Sequence, residues 1–513
     1  MKHTALIATL LCALAGPAPA AVPSGPNAVA WLSAEADADI ERAFAQAREQ
    51  RKPVLLYWGA VWCPPCNHLK STLFNRQDFI ERSKSVVPVY LDGDAPGAQK
   101  LASRFKVRGY PTMILMDPQG QELTRLPGEI DAPQVLRVLQ LGLSGGRPVS
   151  AVLADARAGK SLKPAEWQLL AFYSWDTDED RLVPEAERPG LLAQLAAACP
   201  KAERDSAERL LLRALAASNE QHGLRADAAT RQRVQALMGQ PARARALMDV
   251  LVNYPAELAA AAAPTAGADR DALVAAYDRA LQALQADATL SRADRLSALI
   301  ARIDLQRLGQ PKDSKAPTLP AALKQQMRDT AALFDRDVKD GNERQTVITA
   351  AAHGLARAGL WADSDALLKA NLAKSHSPYY LMSQLASNAR QQGRTAEAVD
   401  WSGQAFERAS GGATRLQWGA AYVSTLVDLA PQDSARIEAA AAAMLKEAAG
   451  QNAAFHERSA RSLQRMSSKL ATWNADGSHA AVIGRLRGQL GPVCQALPAA
   501  DAQRATCDAL LKG

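Results

Sequence analysis

Aromatic residues are scarce in this chain: Phe, Trp and Tyr together make up 5% of 513 residues. That is too sparse for a surface that stacks nucleic-acid bases. Dense Lys/Arg blocks are also missing, and the net charge of +7 is small beside 60 basic and 53 acidic residues. The charges therefore read as solvated faces, and no nucleic-acid partner is expected. No segment past the N-terminus approaches the roughly 20 uninterrupted apolar residues that cross a bilayer. Glycine (31) and proline (28) are ordinary for this length, which excludes a collagen-like or Pro-rich fibre. With 48% hydrophobic and 22% charged residues, wholesale disorder is excluded as well. At roughly 100–200 residues per domain, the chain is expected to hold about two to four domains, or one domain and a repeat array.

What is present begins with an address. Lys2 and His3 precede an apolar run from Ala5 to Ala15, and Ala18-Pro19-Ala20 places small residues around a cleavage point. This is the order of a secretory signal peptide over residues 1–20, too short to span a membrane. Thr9-Leu10-Leu11 before Cys12 does not resemble a lipobox, so no lipid anchor is expected. A mature chain starting near Ala21, periplasmic or secreted and without a transmembrane segment, is the expectation. Five cysteines then remain, and in an oxidising compartment thiols pair or react unless buried. Cys63 and Cys66 are partners by spacing. Cys494 and Cys507 are a candidate structural disulfide stapling a C-terminal helical hairpin, and Cys199 is expected to be a buried, small apolar residue.

From Ala34 to about Leu143 the pattern alternates between helical and strand periods. Ile40, Ala43, Phe44 and Ala47 share one helix face. Val54-Leu55-Leu56-Tyr57-Trp58, Val89-Tyr90-Leu91 and Thr112-Met113-Ile114-Leu115-Met116 read as buried strands, with Pro88 at a strand start. Asp117-Pro118-Gln119-Gly120 is a turn leading to a fourth strand over 122–126, and Asp131 with Pro133 opens a closing helix. The expected order is helix, strand, helix, strand, helix, strand, strand, helix, and Ser144-Gly145-Gly146-Arg147-Pro148 marks a boundary. Beyond it the signals are helical. Ser291 with Asp294 reads as a capping-box entry stopped by Gly309 and Pro311, and Asp205 with Glu208 as another helix start. Gly359 and Gly393 are 34 residues apart, and 385–409 resembles one tetratricopeptide repeat. A helical-repeat or helical-bundle region over 146–513 is expected, with Trp167, Trp175, Trp361, Trp401, Trp418 and Trp473 filling gaps between layers.

The chemistry is concentrated in Trp62-Cys63-Pro64-Pro65-Cys66, directly after the first buried strand and at the start of a helix through Leu69 and Leu73. Two cysteines three apart there form a small disulfide, or one exposed thiolate above one shielded thiol. The helix N-terminus carries partial positive charge and free N–H groups, which favours a thiolate. Cys63 is placed as the nucleophile and Cys66 as the resolving thiol. Pro64 and Pro65 have no N–H, leaving the Cys66 amide and the helix field to support the sulfur. A structural bridge this short closes almost no loop. A zinc site needs a second pair of ligands, which is missing, and a haem attachment needs His where Asn67 stands. No metal ligands and no cofactor beyond the cysteine pair are expected.

On these residues, residues 34–143 resemble a thioredoxin-fold domain, α/β, with 21–145 as its span in the mature chain. A second motif, Val107-Arg108-Gly109-Tyr110-Pro111-Thr112, is similar to the family loop whose proline is cis, and Gly128 fits the same pattern. The resemblance is closest to the secreted thioredoxin-like group and the reductase-module relatives. It implies that Cys63 attacks, Cys66 resolves and Trp62 covers the disulfide. It also implies that Pro111 keeps metal off the thiols and presents backbone to an extended substrate, while Tyr110 helps set substrate preference. One departure matters: the family usually buries an aspartate six residues before the first cysteine, and here that residue is Tyr57. A phenol with a pKa of about 10 is no base at neutral pH. His68 is a candidate substitute, and Asn67 stands where many relatives carry Lys.

The sequence therefore points to a thiol–disulfide oxidoreductase of the cell envelope, acting on protein thiols and disulfides with a possible redox partner protein. Its helical tail is expected to dock a partner protein or organise a dimer, since a long helical array offers extended binding surface. Two other readings remain open: a helical scaffold with a slow or vestigial thioredoxin-like unit, and a copper-handling thiol protein, since exposed Cys pairs bind Cu(I).

Overall fold

The run Val54–Gly59 (β2) is buried at every residue and forms the middle strand of a five-stranded sheet. In the computed structural model, residues 28–126, 132–178, 180–219, 221–311 and 313–512 are described. The expected signal peptide, Gly128 and Asp131 lie outside them. The sheet order is β1-β3-β2-β4-β5, with β1 at Leu32–Ser33, β3 at Val87–Asp92, β4 at Thr112–Met116 and β5 at Glu122–Leu126. β3 runs parallel to β2, whereas β4 is antiparallel to β2 and to β5.

Side chains alternate across a strand, so β2 feeds two cores. Leu55 and Tyr57 join Leu69, Leu73, Val135 and Val138 on one face. Val54, Leu56 and Trp58 join Ile40, Phe44 and Leu101 on the other. A strand covered on both faces needs a continuous apolar run, and this explains why its sequence lacks polar alternation. The helices are α1 (Asp37–Gln50), α2 (Pro64–Thr72), α3 (Gln77–Ser83), α4 (Ala98–Phe105) and α5 (Ala132–Leu143).

Two details differ from the expected order. The two-residue β1, pairing Leu32 with Val89, precedes α1 and is too short to show a period. Helix α2 stops at Thr72 and Leu73 caps it, so two helices separate β2 from β3. The 117–120 turn forms as read: Asp117 N donates to Gln121 O at 2.8 Å, and Gly120 takes a positive φ of 88°.

The rest of the described chain is helical. The apolar core does not stop at 144–148: Trp167, Leu170, Tyr173, Trp175 and Leu192 pack in the same cluster as Leu55 and Tyr57. The Ser291 box forms, with Asp294 N donating to Ser291 Oγ at 3.0 Å at the head of helix Arg292–Gln306. Asp205 does not cap: its helix starts at Arg204, and Asp205 instead pairs with Arg243. Gly359 and Gly393 occupy equivalent turns between successive helices, with φ of 74° and 76°. After each, the next N–H returns to a carbonyl five residues back, Leu360 to Leu355 and Arg394 to Ala389, both at 2.9 Å. Only Gly takes this left-handed turn without a Cβ penalty, which is why the 34-residue interval is visible in the sequence. Trp167, Trp175, Trp418 and Trp473 are buried, while Trp361 and Trp401 are half-buried.

Candidate redox site

The chain leaves β2 at Gly59 and enters α2 at Pro64, so Cys63 is the helix N-cap. Pro64 and Pro65 fit the first turn because their missing N–H groups would have no helical partner there. Cys63 and Cys66 are disulfide-bonded, with Cα atoms 5.2 Å apart. The Cys66 amide donates to Cys63 Sγ at 3.2 Å, the one backbone donor the two prolines leave at that sulfur. Asn67, marked in the sequence only as a departure from relatives that carry Lys, is fully buried and staples the loop. Its Nδ2 donates to Val61 O at 2.7 Å and to Cys63 O at 2.8 Å.

The loop before β4 forms the opposite wall. The Tyr110–Pro111 peptide bond is cis, and the Tyr110 carbonyl oxygen lies 3.6 Å from Cys63 Sγ. The Tyr110 ring fills the space a Cβ would need at Gly93, and its hydroxyl accepts from Gln99 Nε2 at 3.1 Å. Burial pushes this phenol up, so it stays neutral.

Behind the loop, Tyr57 is 1% exposed and its hydroxyl has no partner. Burial, then the nearby Asp92 charge, raises its pKa far above the ordinary value, so Tyr57 is not a base. A carboxyl does reach this region, from the neighbouring strand. Asp92 sits opposite Gly59 in the β2–β3 register, accepting from Tyr90 Oη at 3.2 Å and from Asp94 N at 3.0 Å. Burial raises the pKa of Asp92, and burial lowers that of Lys70, which lies four residues past Cys66 on α2. Nothing in the spacing of the sequence marks Asp92; only strand register brings it beside Tyr57. His68 points elsewhere, with Nε2 3.5 Å from Asp294 Oδ1 on helix Arg292–Gln306.

The expected exposed thiolate position is not exposed. Cys63 is 2% and Cys66 0% accessible. The cause is the helical region, which folds back over the loop. Trp62 packs near Tyr380 and Trp418, at ring-centroid distances of 6.0 and 6.4 Å. Gln345 Nε2 donates to Trp62 O at 3.3 Å and Thr346 Oγ1 to Pro64 O at 2.9 Å. Trp62 packs against the cluster of Ala60, Cys63 and Cys66, and the helical region packs over Trp62 in turn. Beside it, a cavity of about 410 Å³ is lined by Pro64, Pro65, His68, Asp294, His353 and Tyr380.

Of the other cysteines, Cys494 and Cys507 are bonded between helices Ala480–Ala496 and Ala502–Ala509, as expected. Cys199 is a free thiol, 7% exposed, and burial pushes its pKa up to about 11. Among the described residues, no helix is long and apolar enough to cross a membrane, and no group of three or more His, Cys, Asp or Glu is arranged to hold a metal ion.

The family model of the thioredoxin-like domain matches residues 40–142, so the chain carries a domain of this kind followed by a long helical region. Among curated relatives, the thiol:disulfide interchange protein DsbD of Pseudomonas fluorescens is 34% identical over 112 residues, 21% of this chain and 19% of that protein. DsbD 2 of Pseudomonas aeruginosa is 31% identical over 116 residues, 22% and 20% of the two chains. DsbD of Yersinia pestis is 32% identical over 119 residues, again 22% and 20%. The match spans about a fifth of the length of these relatives.

Proposed function

We propose that this chain is a thiol–disulfide oxidoreductase of the cell envelope, periplasmic or secreted, acting on protein disulfides through Cys63 and Cys66. The observation that carries the reading is the disulfide at the α2 N-terminus, with Cys63 as cap, the Cys66 amide on its sulfur and the Tyr110 carbonyl 3.6 Å away. The thioredoxin-like match over residues 40–142 and the interchange activity in the relatives' names support it.

In the reducing direction, the Cys63 thiolate attacks one sulfur of a partner disulfide. A mixed disulfide forms and the partner's second sulfur leaves as a thiolate. The Cys66 thiol then gives up its proton and attacks Cys63 Sγ. The intramolecular disulfide forms, the partner's first sulfur is released, and two electrons have passed to the partner. The reverse sequence oxidises a partner dithiol. No cofactor beyond the cysteine pair enters either direction, and the redox partner is a protein thiol or disulfide.

Insulin reduction with a thiol reductant, comparing the protein with Cys63→Ala, tests the reading. Loss of turnover in the variant is expected, and equal rates would overturn it. Cys66→Ala should accumulate covalent adducts with envelope proteins, which mass spectrometry would identify. The burial of Cys63 and the loss of an acid at position 57 favour one other reading, a helical scaffold whose thioredoxin-like unit is vestigial. Equal rates in the insulin comparison would support that alternative.

A further inference from the structure

Disulfide exchange requires a third sulfur to reach one of the two bonded sulfurs. In this structure that approach is closed, with Cys63 2% and Cys66 0% accessible. The closure is built from specific bonds. Asp94, in the loop after β3, accepts from Thr414 N at 2.7 Å and from Thr414 Oγ1 at 2.6 Å. Arg458 Nη2 donates to Asp94 Oδ1 at 2.8 Å and to Thr414 Oγ1 at 3.0 Å. The same guanidinium lies 5.3 Å from the ring centroids of both Trp62 and Tyr110, the residues on the two walls of the redox site. Arg461 adds a bond to Arg108 O at 2.8 Å on the loop that leads to Tyr110. Gly411, with φ of 89°, permits this docking, because a Cβ there would collide with the Asp94 carboxylate.

We infer that the helical region is a built-in competitor for the redox face: it occupies the surface a polypeptide partner must use, and Arg458, clasped to Asp94 and Thr414, holds it there. The inference rests on the oxidoreductase reading and says which surface its partners must win. Arg458 is a positioning residue, acting on access and not on the sulfur. Three features argue for competition over a permanent seal. The bonds fall on the loops that carry the chemistry, from 62 to 64, at 94 and at 108. The clasp is polar and can exchange its partners for water. It is also incompletely satisfied, since Arg458 Nε and Nη1 are buried without partners in the closed form. Opening hydrates those donors, which offsets part of what closure gains.

The test follows reduction of the Cys63–Cys66 disulfide by dithiothreitol in the full chain, with mass spectrometric readout after alkylation. Cys199, buried elsewhere, serves as the reporter of global unfolding through its labelling rate. Arg458→Ala and Asp94→Asn are expected to speed reduction of the pair at least tenfold with Cys199 labelling unchanged. Arg458→Lys should restore part of the slow rate. The inference is overturned if the wild-type pair is reduced as fast as the disulfide of a free peptide spanning residues 60–68, or if both clasp variants leave its rate unchanged. It is also overturned if the rate rises only together with Cys199 labelling. Insulin assays separate the two claims. A pair freed by Arg458→Ala that turns over no insulin sinks the oxidoreductase reading alone, and equal insulin turnover by wild type and Arg458→Ala sinks the competitor alone.

Discussion

Trp62 donates its indole N–H to Thr414 Oγ1 at 2.7 Å, across 352 residues of chain. The first of these residues stands immediately before the reactive disulfide and the second lies near the start of helix Gly412–Leu429, so the bond ties the redox loop to the far part of the helical region. Thr414 also donates to Asp94 and accepts from Arg458. One hydroxyl thus serves three partners.

Replacing that hydroxyl by a methyl leaves a buried indole N–H and a carboxylate oxygen short of partners. Thr414→Val is expected to destabilise the protein by about 2 kcal/mol, in the range for an orphaned buried group. Urea unfolding, comparing midpoints at constant slope, measures it. An unchanged midpoint would mean that the hydroxyl network contributes nothing to closure.

Burial raises the pKa of Asp92, so the native fold favours its protonated form. That stabilising contribution is complete below the ordinary carboxyl pKa and is lost as pH rises through the higher, native value. Asp92→Asn keeps a neutral side chain throughout. Its Tm should therefore match wild type in acid and exceed it at pH 7, as scanning calorimetry across pH would record. If Asp92 also takes the Cys66 proton, the same variant should prolong the mixed disulfide by about 10²-fold or more. Quenched-flow trapping of that intermediate reads the effect.

Arg209 and Asp249 are 0% and 1% exposed and meet through paired N–H···O bonds, with Arg209 Nε also donating to Ala171 O at 3.0 Å. Removing one partner strands a buried charge, so Asp249→Ala is expected to cost about 3–5 kcal/mol. The double replacement Arg209→Met with Asp249→Leu should recover much of that loss. Thermal unfolding of the three variants decides it, and a mild single-variant effect would show that water relieves the charge.

Cys494 and Cys507 close a loop with a sequence separation of 13. On the chain-entropy estimate, Cys494→Ser with Cys507→Ser should lose roughly 3 kcal/mol. Insulin turnover should be unaffected, because the bridge lies outside the redox site.

Local order was readable because it is set within a few residues. The redox helix announced itself through a cysteine spacing of three and two prolines suited to a first turn. The 117–120 turn, the Ser291 box and the paired glycines at 359 and 393 carried their own conformational signals. The two-residue β1 did not, since its pairing with β3 has no period to read. Asp205 looked like a cap and lies inside its helix, because charge alone does not distinguish an N-cap from a first-turn residue paired to Arg243.

The sequence by itself determined that a cysteine pair sits on a helix N-terminus after a buried strand, because strand period, proline placement and cysteine spacing are all short-range. Tertiary structure alone decided two things about that pair: that Asp92 arrives beside Tyr57 by register, and that Trp62, Pro64 and Asp94 are bonded to residues 345 to 458. Whether a sulfur meets solvent depends on which distant surface packs over it. Ala-rich helices offer many similar faces, and only the folded chain selects one.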